Sequence, residues 1–140
     1  MVLSFLEVNA LINRNLDISG SINVSSQVAS ASVIRRPIVR QVLLDYLVVD
    51  LESDFPSDDS SCVKFISVYR GRNTTSDLLV QVPVTFDQQN KSFIITQSFT
   101  PQMFDPGDLL IVLINGSPCS ADFNIVGSIT LRSEVVDYSY

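Results

Sequence analysis

Histidine and tryptophan are missing from this chain of 140 residues, and cysteine occurs only twice. Without histidine there is no Ser–His–Asp or Cys–His arrangement to activate a nucleophile. A transition metal would also lack its commonest protein ligand. The five glycines form no phosphate-cradling loop. No catalytic residue, cofactor or metal is therefore expected, and the chain does not read as an enzyme. Basic residues are scarce too: nine Lys and Arg stand against fifteen Asp and Glu, for a net charge of −6. Phosphate neutralisation needs the opposite balance, so nucleic acid is not an expected partner. An anionic membrane surface is disfavoured for the same reason. No apolar run approaches the ~18 residues that cross a bilayer, so membrane insertion is not expected. Met1 to Ala10 carry no positive charge ahead of their apolar residues, and Glu7 interrupts them. A secretory leader would look different.

What is present is a hydrophobic fraction of 46%, enough for one domain with a real core. It is arranged mainly with period two, the signature of half-buried strands. Leu78, Val80, Val82, Val84 and Phe86 share one face, and Pro83 on the other face marks an edge or a bulge. Phe123, Ile125, Gly127, Ile129 and Leu131 alternate in the same way within Asp122–Arg132, as do Ile18, Gly20, Ile22 and Val24 within Leu16–Val24. Ile38–Leu51 reads as a long central strand, although its length leaves a helix open. Leu109–Ile114 is apolar on both faces and is expected to be covered on both, with Ile111 and Val112 in the core beside Phe123 and Ile125. Cys62–Arg70, Phe93–Phe99 and the weaker Val28–Ile34 bring the count to about eight strands.

The punctuation agrees. Asp87–Lys91 reads as a hairpin loop, Asp105-Pro106-Gly107-Asp108 as a turn, and Asn115-Gly116 as another. The expected fold is all-β: a two-sheet antiparallel β-sandwich of jelly-roll type with about eight strands. It forms a single domain over residues 16–140, preceded by an N-terminal arm over residues 1–15. Residues 1–12 fit a short helix and an extended segment equally well. Leu3, Phe5, Leu6, Val8, Leu11 and Ile12 would make an apolar patch there. Soluble chains seldom leave such a patch uncovered, so these six residues are expected to contact another subunit.

Polar clusters are less telling. Asp50, Glu52, Asp54, Asp58 and Asp59 offer the oxygens that calcium takes, but without the regular spacing of a calcium loop. They read as a solvated acidic loop, and Asp105 and Asp108 as turn residues. Arg35, Arg36 and Arg40, and the smaller pair Arg70 and Arg72, read as solvated charges or as ion pairs with a neighbouring copy. Cys62 and Cys119 permit one disulfide or two thiols, because spacing alone does not set the ~5.5 Å Cα separation a bridge needs. Asn23, Asn73, Asn90 and Asn115 each begin an Asn-x-Ser/Thr triplet. Without a leader they are expected to be unused.

The strand count, the Pro106-Gly107-Asp108 turn leading into Leu109–Ile114, and the arm-like N-terminus together resemble the single jelly-roll proteins of virus particles, over residues 16–132. That resemblance implies a capsid, minor capsid or surface protein of a virion, assembled in the host-cell cytoplasm as a homo-oligomer with other virion proteins. Coat proteins that package RNA carry a basic arm. Residues 1–34 hold one basic residue, Arg14, against Glu7 and Asp17, so the arm should bind protein and leave the genome to something else. The alternative is a carbohydrate-binding or adhesion β-sandwich module, with Tyr69, Tyr138 and Tyr140 as the rings on offer.

Overall fold

Residues 17–56 and 61–132 are described by the structure, a computed structural model. They form eight strands: β1 (Ile18–Ser25), β2 (Ser30–Pro37), β3 (Val42–Ser53), β4 (Cys62–Arg72), β5 (Thr75–Phe86), β6 (Ser92–Phe104), β7 (Leu109–Asn115) and β8 (Asn124–Arg132). No helix occurs among the described residues, so Ile38–Leu51 resolves as a turn running into β3. Two antiparallel four-stranded sheets result, with orders β1-β8-β3-β6 and β2-β7-β4-β5. The pairs β4·β5, β3·β6, β2·β7 and β1·β8 are nested one outside another, which is the jelly-roll arrangement.

Only β4 and β5 are joined as a hairpin, and every other connection passes from one sheet to the other. Asp87–Lys91 is therefore an arch between sheets, not a hairpin. It closes on the Asp87 carboxylate, which accepts the backbone N–H groups of Gln89 and Asn90 at 2.9 and 2.7 Å. The real hairpin turns at Asn73 and Thr74, with Asn73 at a φ of 57°. Pro83 does sit on an edge strand, β5.

The core lies between the sheets. Leu47, Val49 and Leu51 of β3 face Ile66 and Val68 of β4 and Leu110, Val112 and Ile114 of β7, all buried. Phe123 joins Phe55 and Phe86 edge-on, with ring centroids 5.0 and 5.7 Å away. Along β1 and β2 the two sheets press together. A Cβ on Gly20 would lie 2.5 Å from Ile34 Cγ1 and 2.8 Å from the Val33 carbonyl oxygen, so only glycine allows this approach. Along β5 and β6 the sheets meet through Phe86 and Phe93, whose rings pack edge-on with centroids 5.2 Å apart.

Candidate assembly surfaces

One end of the sandwich is fastened. Cys62 at the start of β4 is bridged to Cys119 in the β7–β8 connection, with Cα atoms 5.6 Å apart. Ser26 donates to the Ala121 carbonyl at 2.7 Å and accepts from the Phe123 N–H at 2.9 Å. Lys64 is buried, and its ammonium donates to the carbonyls of Val28 and Ser117, each at 3.0 Å. Burial pushes its pKa down, because the charged form loses solvent. Ser61 and Lys64 stand at the i, i+3 spacing of a Ser–Lys pair. Strand alternation puts them on opposite faces, with Ser61 in solvent and Lys64 in the core.

The basic pair Arg70 and Arg72 turns out to be internal. Arg72 forks onto Asp108 at 2.9 and 2.7 Å and reaches Asp105 at 3.3 Å. Arg70 pairs with Asp77 at 3.7 Å and lies 5.9 Å from the Phe104 ring centroid. Asp108 closes the 105–108 turn through its N–H to the Asp105 carbonyl at 3.0 Å, and Gly107 supplies the φ of 96° that the turn needs. The Arg72 hydrogen bond, followed by the Asp105 N–H, holds the Asp108 carboxyl down to about 2. Arg35 and Arg36 are exposed and make no ion pair among the described residues.

The acidic group divides. Asp50 and Glu52 lie on the outer face of β3, and the Asp54 carboxylate accepts the Asn124 N–H at 2.6 Å. Asp58 and Asp59 lie outside the described residues. Among the described residues no acidic set gathers that could hold a metal ion.

The two outer faces differ in composition. On that of β1-β8-β3-β6, Ser19, Ser21, Ser128, Thr130 and Thr96 share the surface with Asp50 and Glu52, while Ile94 lies opposite Asp50 and Val126 opposite Glu52. That of β2-β7-β4-β5 carries apolar side chains interrupted by polar ones. Its cross-strand rows run Leu78–Tyr69–Ile111–Arg35 and Ser76–Gly71–Leu109–Pro37. Further along, Val63, Phe65 and Leu113 continue the patch around a small polar knot. There Ser67 donates to Asn115 Oδ1 at 3.0 Å and accepts from Gln81 at 3.1 Å. Leu78 is 49% exposed and Val63 43% exposed. Contrary to what its run of apolar residues predicts, β7 is not covered on both faces, and Ile111 does not lie in the core. Instead Leu110, Val112 and Ile114 are buried while Leu109, Ile111 and Leu113 are half-buried on this outer face. Val112, Phe123 and Ile125 are buried as expected. Tyr69 lies within the patch; Tyr138 and Tyr140 fall outside the described residues, as do Leu3, Phe5, Leu6, Val8, Leu11 and Ile12.

No family model matches the chain, and no curated protein matches its sequence. Among solved structures, a chain of Bacillus endospore appendages, a novel family of disulfide-linked pili, is 14% identical over 84% of this chain and 87% of that one, at a TM-score of 0.44. A chain of infectious bursal disease virus, Gx strain, is 11% identical over 91% of this chain and 33% of that one, at 0.42. A family two carbohydrate esterase from Cellvibrio japonicus is 9% identical over 83% of this chain and 34% of that one, at 0.34. These are distant likenesses of architecture, and the roles of those proteins stay with those proteins.

Proposed function

We propose that this chain is a structural subunit that self-assembles, as a capsid, minor capsid or surface protein of a virus particle, without catalysis and without contacting the genome. One observation carries the reading: the outer face of β2-β7-β4-β5 gathers Leu78, Tyr69, Ile111 and Leu109 in adjoining cross-strand rows, with Leu113, Phe65 and Val63 beyond the polar knot at Ser67. Patches of this kind mark association sites. The occupant is a second copy. Arg35 stands at the rim of the patch, while Asp50 and Glu52 occupy the opposite outer face, so two copies bring opposite charges to each other. The Cys62–Cys119 bridge suits a particle that ends up outside a reducing cytosol.

The test is Ile111→Glu, at a half-buried outer position. The variant should keep its β spectrum and unfolding midpoint while its mass by light scattering falls toward that of one chain. An unchanged assembly would remove this face as the interface. A wild-type monomer retained by immobilised glycans would favour the adhesion reading instead.

A further inference from the structure

Each outer face of the sandwich holds charge that its own sheet does not answer. Arg35 is exposed on the face of β2-β7-β4-β5, where it ends the row that runs through Leu78, Tyr69 and Ile111. Asp50 and Glu52 are exposed on the face of β1-β8-β3-β6. None of the three makes an ion pair among the described residues. The two acids also have apolar company. Ile94, opposite Asp50, is 81% exposed, and Val126, opposite Glu52, is 41% exposed. Beside them Glu52, Ser53, Asp54, Asn124 and Val126 line an open hollow of about 340 Å³.

We propose that copies of this chain stack head to tail: the Arg35 face of one copy packs on the Asp50–Glu52 face of the next. Arg35 then meets the two acids, and Ile111, Leu109 and Leu78 meet Ile94 and Val126. The inference rests on the self-assembly reading and names the surface of the second copy that covers the apolar rows. Four strands about 4.8 Å apart and about eight residues long make a face of roughly 500 Å². Two apposed faces therefore cover roughly 1,000 Å², where specific interfaces begin.

Like faces do not suit each other. Within β2, β7, β4 and β5 the sole carboxylate is Asp77, and it already pairs with Arg70. Within β1, β8, β3 and β6 the sole base is Arg132, which lies over the Tyr46 ring at 5.2 Å. Two acidic faces brought together would set Asp50 and Glu52 against their own copies, the kind of contact that suppresses a wrong pairing. Unlike faces on opposite sides of one sandwich have a further consequence. Every stack leaves one face of each kind open at its ends, so assembly does not stop at two copies. It continues until it closes as a ring or runs on as a filament.

The experiment follows the mass of the full chain by light scattering, with circular dichroism to confirm the fold. Asp50→Lys with Glu52→Lys should bring the mass down toward that of one chain, and so should Arg35→Glu alone. All three sites are exposed, so each variant should keep its unfolding midpoint. Combining the three substitutions in one chain restores opposite charges across the contact and should return the mass to that of the unaltered protein. An unchanged mass for Asp50→Lys with Glu52→Lys would overturn the head-to-tail contact and leave self-assembly standing. A triple variant that stays small would overturn the pairing of Arg35 with these acids. Unaltered protein whose mass stops at two chains would overturn the stack but not self-assembly. Unaltered protein that is a single chain at every concentration would overturn both.

Discussion

Phe123 shows what alternation can and cannot deliver. Its place in the core followed from the period-two pattern of residues 122–132, and it is 3% exposed in the structure. Phe123→Ala should cost ~3–5 kcal/mol in urea unfolding, the range for a buried aromatic. A loss below ~1 kcal/mol would mean that this face is not the core face. The Arg72–Asp108 fork was not legible, because its partners are 36 residues apart and meet only through the strand order. It has a pH signature. The Asp108 carboxyl takes up a proton less readily folded, at about 2, than unfolded, at ~3.9. Its contribution is therefore complete above pH ~4 and fades as pH falls toward 2. Asp108→Asn should lower the midpoint of thermal unfolding at neutral pH and flatten its decline across that acid window. A decline as steep as that of the unaltered protein would show that the fork is not the group being titrated.

All eight strands were legible as segments, because each is half-buried and side chains in strands alternate. Their connections were not. Asp87–Lys91 has hairpin chemistry, yet the chain there climbs to the other sheet, where β6 pairs with β3. The Asn73–Thr74 hairpin was hidden by the polar run that continues both strands past their apolar parts. The apolar run of β7 concealed that one of its faces is an outer face. Two elements can be tested. Gly20→Ala would push a methyl group into Ile34 and a backbone carbonyl that cannot easily yield. It should cost about 1–3 kcal/mol, as overpacking does. No loss would mean that the β1/β2 side is looser than described. The Cys62–Cys119 bridge closes a sequence separation of 57. Loop-closure entropy puts its contribution at about 4 kcal/mol. The Cys62→Ser, Cys119→Ser double variant should unfold at correspondingly lower urea, and the difference should vanish when both proteins are compared under reducing conditions.

The whole molecule is two-faced. One outer face sets Asp50 and Glu52 among hydroxyls with Ile94 and Val126, the other groups Leu109, Ile111, Tyr69 and Leu78 with Arg35 at the rim, and between them the sheets approach closest at Gly20. The sequence suggests an association surface in the arm, residues 1–15, which lies outside the described residues. The apolar outer face appears only once β2, β7, β4 and β5 are side by side. The self-assembly reading predicts that light scattering across a dilution series of the unaltered full chain gives masses at multiples of 15.5 kDa, dissociating as concentration falls. A constant mass of one chain at every concentration and salt would contradict it.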